Sequence, residues 1–545
     1  MGILKSITEM EFKVLSRGTW LPNEGRNTAY LRIDNWNDFS YFTLFQVEVF
    51  DENGKGYELG DIKIAYKGQQ EGSTNATSEK IDKHFTKLSK DYFSLGQSTD
   101  YYKKLSTMPE GTRADYLKGL NDLVAHPELL PIIEDETVFG SSLLRDVYIA
   151  SIRGKFKSVL DGNNESTPFQ FYFTRDENEE MSEVELYFDV GVDTKPPTNI
   201  HAIIGRNGVG KTTVLNSIID AICDPEGNQH CRIEPQDHGY SSKDKDYFSS
   251  LISVSFSAFD PFVPPTEQSD PAKGTCYFYL GLKKPDDDEQ LLGFNELRNE
   301  CIKSLMNCFA SQDKAERWMN VIQKLSSDTN FAEMNLGSLK EFYQELAQRY
   351  GIEKRSDNSN EYKKRKQQMK QEYVKRVLSI LTRMSSGHSV VFMTITRLVE
   401  KVDERSLVLL DEPESHLHPP LLSAFIRALS DLLISRNAIA IIATHSPVVL
   451  QEVPRNCVWK LFRHGKSMEK NRPKIETFAE SVSDLTTEVF GLEVTNSGFH
   501  SLLQESVNEG KSYKDIVHEF NDQIGFEGRA LLKVMISERG GDFQQ

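Results

Sequence analysis

Paired cysteines are missing from this chain. Its six cysteines (Cys223, Cys231, Cys276, Cys301, Cys308 and Cys457) have neither metal-ligand spacing nor the density of a secreted disulfide scaffold. The reducing cytosol is therefore the expected compartment. Long apolar runs are missing too, since no stretch approaches the roughly 18 to 20 residues of a membrane span. The opening MGILKS is not expected to be a signal peptide; it matches the short, permissive myristoylation pattern through Gly2 and Ser6, with no other sign of membrane contact nearby. Positive charge is in deficit. The formal net charge is −17 over 545 residues, so any nucleic-acid contact has to be local. What remains is globular material: 38% hydrophobic residues suffice for ordinary cores, and the length asks for more than one domain. We find no internal repeat.

Residues 205–213 read GRNGVGKTT, after the apolar run IHAII and before a segment with Val214, Leu215, Ile218, Ile219 and Ile222 at helical spacing. A glycine-rich turn between strand and helix curls the backbone so that N–H groups point inward, and the helix N-terminus adds partial positive charge. Gly205, Asn207, Gly208, Gly210, Lys211, Thr212 and Thr213 form a candidate phosphate cradle. Lys211 is expected to reach the β- and γ-phosphates of ATP, and the Thr212 hydroxyl to join the Mg²⁺ shell. Two hundred residues on, LVLLDEPESHLHPP delivers Asp411 and Glu412 at the end of a buried-strand run. Adjacent acids there are costly unless used. Asp411 is expected to hold Mg²⁺ and Glu412 to act as general base. A third strand, Ile439–Ala443, ends in Thr444 and His445, placing His445 to sense the γ-phosphate. Residues 383–399, RMSSGHSVVFMTITRLV, open an amphipathic helix with a Ser–Gly turn, the makings of a second anion site at Ser385, Ser386 and Gly387.

Along the chain, residues 1–70 are β-rich, with two apolar runs around the turn in FTLFQVEVFDENGKGYELGDIKIAYK. Residues 71–165 read as an inserted helical block. FQFYFT and VELYFDV form a hairpin feeding the strand at 200, so 1–70 and 166–260 are expected to make the N-terminal part of the ATPase domain. Residues 261–383 read as a second helical insert with a basic tract, 354–383, that includes KKRK (363–366). The tract is either a solvated face or a patch for nucleic acid or for an opposing acidic surface. No aromatics interleave in KKRKQQMK, so base stacking is not expected there. Residues 384–475 carry the remaining nucleotide motifs, and 476–545 form a helical docking tail. His416 and His418 lack a correctly spaced third metal ligand. After residue 456 no D-x-D appears, so no nuclease of the chain's own is expected.

Together GRNGVGKTT, MSSGHS, LVLLDEPESHLHP and ATHSP resemble the ATP-binding-cassette ATPases of the SMC-like branch. The resemblance implies an α/β ATPase head: a mixed sheet with flanking helices, an antiparallel N-terminal β part, inserted helical blocks and a helical C-terminal tail. It also implies a head-to-tail homodimer around two ATPs. Ser385 and Gly387 stand where the signature loop acts in trans; Ser386 and His388 depart from its usual pattern. His445 matches the switch histidine, Glu412 the catalytic base, and Glu414–His418 the D-loop. The Q-loop glutamine is lacking, with Ser257 and Asp260 in its place. The inserts lack sustained heptads, which argues against long coiled-coil arms.

SFSAFDPF (255–262) and the tail ETFAESVSDLTTEVFGLE (476–493) are similar to the ATPase subunit of Septu-type antiphage systems, including retron-associated ones. That narrower likeness implies an HNH nuclease partner. In retron-associated members it also implies a reverse transcriptase with its RNA/DNA product. The expected function is an ATP-gated regulatory subunit of an antiphage nuclease. The alternative is a DNA-repair or recombination ATPase that binds DNA directly through 354–383. A transporter ATPase ranks last, for want of a full signature and a Q-loop glutamine.

Overall fold

The computed structural model describes residues 10–541, apart from 35, 146, 148, 163–167, 179–181, 226, 237–246, 258–261, 271–273, 285–286, 353–359 and 492–497. The Q-loop expectation at Asp260 and the first basic residues of the tract, Lys354 and Arg355, lie outside the described residues.

The N-terminal strands build a sheet of their own. β1 (Glu11–Leu15), β2 (Thr28–Ile33), β3 (Leu44–Phe50), β4 (Gly56–Tyr66), β5 (His84–Phe85) and β6 (Tyr92–Gly96) take the order β5-β1-β2-β3-β4-β6. β3 and β4 pair antiparallel, Phe45 against Ile62. Alternation in β3 turns Phe45, Val47 and Val49 to one face, as a two-residue period requires. The helices that follow cover that face: α1 (Thr99–Ser106), α2 (Glu110–Gly119) and the turns onward to Leu160. Tyr101, Tyr102, Tyr116, Phe139 and Phe156 join the same core. The sequence expectation divided this region differently, giving 1–70 to the ATPase domain and 71–165 to a separate helical insert. The physical reason for the difference is that the sheet's apolar face needs a cover, and residues 99–160 supply it.

A seven-stranded sheet forms the second unit. Its strands include β9 (Ile200–Ile204), β11 (Ser250–Ser255), β12 (Cys276–Gly281), β15 (Leu407–Asp411), β16 (Ile439–Thr444), β17 (Val458–His464) and β18 (Ser467–Asn471), in the order β12-β11-β15-β16-β9-β17-β18. All pairings are parallel except β17 with β18. Both faces are covered, which is why its strands read as apolar runs. In β15, Leu407 and Leu409 belong to one core and Val408 and Leu410 to the other. On the first face lie α3 (Lys211–Cys223) and a three-stranded antiparallel sheet of β7 (Phe169–Arg175), β8 (Val184–Val190) and β10 (Cys231–Pro235).

The second face is helical. α4 (Phe294–Phe309), α5 (Gln312–Leu325), α6 (Ser338–Tyr350) and α7 (Asn360–Leu381) share one core with α8 (Ser386–Lys401) and α9 (Pro419–Ser435). The block 261–383 is thus no detached insert. It also begins with β12, parallel to β11, and a small ribbon of β13 (Lys283–Lys284) and β14 (Asp287–Leu291). In α7, Met369, Tyr373, Val377 and Leu381 are buried at four-residue steps, while Lys363, Lys364, Lys366, Lys370, Lys375 and Arg376 are exposed. The tail divides as well. α10 (Val482–Phe490) buries Leu485 and Val489 in the main core. α11 (Phe499–Asn508), α12 (Tyr513–Glu519) and α13 (Phe526–Gly541) pack around their own small cluster.

Candidate functional site

Three neighbouring parallel strands, β15, β16 and β9, end flush. Asp411 is in register with Ala443, and Thr444 with Ile204. This carboxyl edge is where open parallel sheets put their ligands.

From β9 the chain turns through Gly205–Gly210 into α3. A Cβ on Gly205 would come within 2.5 Å of the Leu461 carbonyl oxygen, so the loop admits no side chain there. Gly210 has φ of 100°, left-handed backbone that favours glycine, and as N-cap it offers no side-chain bond to the first turn. The N–H groups of that turn are left for an outside acceptor. Asn207 and Gly208 are exposed on the loop, and Thr213 lies half-buried beneath it. The Lys211 side chain is 4% exposed; its ammonium donates to the carbonyls of Gly205 (3.1 Å) and Arg206 (3.2 Å) and stands 3.8 Å from Glu412 Oε1.

The Thr212 hydroxyl reaches Asp411, 2.9 Å to Oδ2 and 3.1 Å to Oδ1. A hydroxyl and a carboxylate so placed are a donor set suited to a hard divalent cation. Glu412 holds left-handed backbone (φ 45°, ψ 56°), uncommon for a side-chain-bearing residue and a form of strain that clusters at functional sites. Its N–H donates to the Ala443 carbonyl (2.9 Å), and its side chain is 34% exposed. His445 Nδ1 lies 3.5 Å from Glu412 Oε1 and 3.2 Å from Glu414 Oε1.

Glu414 was not singled out by spacing, because its role depends on a strand that is remote in sequence. Its Oε1 accepts from the Thr444 hydroxyl (2.6 Å) and the His445 N–H (2.7 Å), and its side chain is buried. It pins the end of β16 beside Glu412.

The Ser–Gly turn at the start of α8 is built separately. Ser385 and Ser386 are exposed, and Ser385 Oγ accepts from the His388 N–H as N-cap. Gly387 is buried; a Cβ there would sit 2.6 Å from the His416 carbonyl oxygen, which seats the turn on the segment after Glu412. His388 links inward: Nδ1 lies 2.6 Å from Ser385 Oγ and Nε2 lies 3.1 Å from Asp328 Oδ1. Asp328 also accepts from the N–H groups of Asn330 and Phe331. Burial raises its pKa, but His388 and those backbone donors together hold it below the usual carboxylate range.

Asp328, His388 and His418 offer ligand atoms within 4.8 Å of one another. Both ring nitrogens of His388 and Nδ1 of His418 are already engaged, however. His418 Nδ1 accepts the Leu421 N–H (3.1 Å) as N-cap of α9, which leaves the ring proton on Nε2. Gain of a cation there would break the cap or the link from His388 to Asp328.

Residues 297–451 match the family model described as "AAA domain, putative AbiEii toxin, Type IV TA system". Solved ATP-binding cassettes are also similar. A nucleotide-free cassette from an ABC transporter is 12% identical, with 60% of this chain and 98% of that chain covered at a TM-score of 0.29. CbiO1 from Clostridium perfringens, part of the ABC transporter complex cbiONQ, is 14% identical, with 61% and 95% covered at a TM-score of 0.26. Over 530 residues, 97% of this chain and 99% of the relative, the sequence is 48% identical to protein ea59 of Escherichia phage lambda. At that identity and coverage, the chain belongs to the same family as protein ea59.

Proposed function

We propose that the chain binds ATP with Mg²⁺ at the carboxyl edge of its parallel sheet, hydrolyses it slowly, and uses the cycle to open and close a head-to-tail homodimer. One observation carries this reading. Lys211, Thr212, Asp411, Glu412 and His445, from three distant stretches of sequence, meet at the flush ends of β9, β15 and β16.

The residues present fit the group. The uncapped first turn of α3 and the Lys211 ammonium, held by neutral carbonyls, suit phosphate oxygens. Thr212 and Asp411 suit the cation. Bound Mg²⁺–ATP supplies the transferable phosphoryl group and the charge around it. Glu412 orients and deprotonates the attacking water, and His445 beside it senses the γ-phosphate. Ser385, Ser386 and Gly387 form a turn whose serines face outward, which suits contact with a nucleotide held by a second copy.

The test uses two variants. Lys211→Ala is expected to abolish ATP binding in equilibrium dialysis. Glu412→Gln is expected to keep binding, to lose about 100-fold or more in hydrolysis, and to accumulate an ATP-dependent dimer in sedimentation velocity. Undiminished binding by Lys211→Ala sinks the site, and a Glu412→Gln protein that stays monomeric at saturating ATP sinks the dimer.

The narrower reading is that this dimer restrains or licenses an HNH nuclease, as the Septu-like motifs suggest, with a reverse transcriptase and its RNA/DNA product present in retron-associated settings. In a family with a phage-encoded member, such an antiphage role acts against competing phages. Copurification from the native host tests it: an HNH nuclease is expected with the chain, and its absence removes the reading. The exposed lysines of α7 favour a second reading, direct DNA binding as in repair ATPases. DNA affinity of the isolated chain that falls steeply with salt and with charge reversal at Lys363, Lys364 and Lys366 would select it.

A further inference from the structure

We propose that Asp328 and His388 are positioning residues for Ser385, and that the protonation state of His388 decides which way the Ser385 hydroxyl points. Engagement of a phosphate by the turn then takes up one proton per turn. The inference rests on the dimer reading above.

Asp328, His388 and Ser385 form a chain of three hydrogen-bonded groups. An ionised Asp328 can only accept, so His388 Nε2, 3.1 Å away, carries a proton. If the ring is neutral, Nδ1 is bare. It then accepts the hydroxyl proton of Ser385 across 2.6 Å. Ser385 Oγ also accepts the His388 N–H, in its role as N-cap. With its single proton turned inward, the hydroxyl shows only lone-pair density to solvent, and a phosphate oxygen placed there meets no donor.

A second proton on the ring reverses the bond. It arrives from solvent on Nδ1, and Nδ1–H now donates to Ser385 Oγ. The hydroxyl proton swings outward, free to donate to a phosphate oxygen. Only hydrogen bonds change partners; no covalent bond other than N–H is made. The resulting imidazolium is 6% exposed, so it needs a counter-charge. Asp328 provides one on the inner side, already hydrogen-bonded to Nε2 and to two backbone N–H groups. The incoming phosphate provides the other. The groups facing His388 are Asp328 and the Phe331 ring (centroid 5.2 Å) on the preceding short helix, Ser385 of its own turn, and the edge of His418 (centroid 6.1 Å). Neutral His418, with its proton on Nε2, opposes the imidazolium less than a charged ring would.

The experiment uses the full chain carrying Glu412→Gln, with Mg²⁺–ATP, between about pH 6 and 8.5. Two turns close per dimer, each taking one proton. The dimerisation constant is therefore expected to fall as pH rises, by up to about 100-fold per pH unit. Calorimetric dimerisation in two buffers of different ionisation enthalpy should report uptake of about two protons per dimer. Adding His388→Gln should leave a dimer whose strength no longer follows pH, because an amide is always able to donate. Adding Asp328→Asn should move the onset of dimerisation to lower pH. A dimer that forms with no proton uptake overturns the inference while leaving the dimer reading intact. So does a pH slope that survives in His388→Gln, which would assign the proton to His418 or His445. Absence of an ATP-dependent dimer at every pH overturns the dimer reading, and this inference with it.

Discussion

Two residues after Glu412, the Glu414 carboxylate turns back under β16 and takes both the Thr444 hydroxyl and the His445 N–H. Its replacement leaves a main-chain donor without its acceptor at the site's edge. Glu414→Ala is expected to cost about 1–3 kcal/mol in urea unfolding, and to lower hydrolysis more than ATP affinity, because His445 loses its anchor and Lys211 does not. Gly387 is constrained by space: the nearest atom to an added Cβ is a backbone oxygen, His416 O at 2.6 Å, which cannot rotate aside. Gly387→Ala is expected to cost about 1–3 kcal/mol through backbone displacement. By moving the turn on α8 it should also weaken the ATP-dependent dimer in sedimentation, with nucleotide binding to the single chain retained.

At the scale of elements, β9 carries a titratable group in its middle. His201 is fully buried, edge-on to Phe188 at 5.2 Å, with Nε2–H directed to the Asp189 carbonyl. Burial first, and the Arg472 charge second, push its pKa down to about 3. The folded chain therefore keeps it neutral where the unfolded chain, with an ordinary histidine near 6.5, takes up a proton. Stability from this group is full above about pH 6.5, and is lost as pH falls toward about 3, by roughly 1.4 kcal/mol per unit. Between pH 7 and 5 the native chain should lose about 2 kcal/mol through His201. His201→Leu should be weaker at pH 7 and show a flatter acid limb, as measured by urea unfolding at both pH values. An acid limb of unchanged steepness would remove His201 as its cause.

Across the whole molecule, the N-terminal unit meets the parallel-sheet core through a buried ion pair. Lys155 Nζ lies 3.4 Å from Glu404 Oε2, with both side chains under a tenth exposed. A cleft of about 490 Å³ opens beside it, lined by Lys155, Phe156, Asp403, Glu404 and Arg436. Burial raises the Glu404 pKa, and Lys155 and Arg436 work against that rise. Removal of one partner strands a charge, whereas removal of both does not. Lys155→Met is expected to destabilise the chain by about 3–5 kcal/mol in denaturant unfolding, and the double variant Lys155→Met with Glu404→Met to recover most of it. Equal losses in the single and double variants would show that the pair is irrelevant to the joint.

Elements whose chemistry is local were legible in the residues alone. GRNGVGKTT prescribes a turn because its glycines allow backbone that other residues resist, and Leu407–Leu410 prescribe a doubly buried strand because all four positions before Asp411 are apolar. The meeting of Thr212 with Asp411 could be anticipated, since Asp411 ends one strand, Thr212 opens the helix that follows another, and such strand ends share one edge of a parallel sheet. Tertiary structure alone decided the rest. The grouping of residues 11–96 into a separate sheet depends on which strands find partners, and β12 escaped notice because CYFYLG, buried throughout, has no period to read. Asp328 reached His388 across sixty positions, through the packing of a short helix on the start of α8. Such a link is set by how elements dock, and docking is governed by the shape and area of buried surfaces that no window of residues contains.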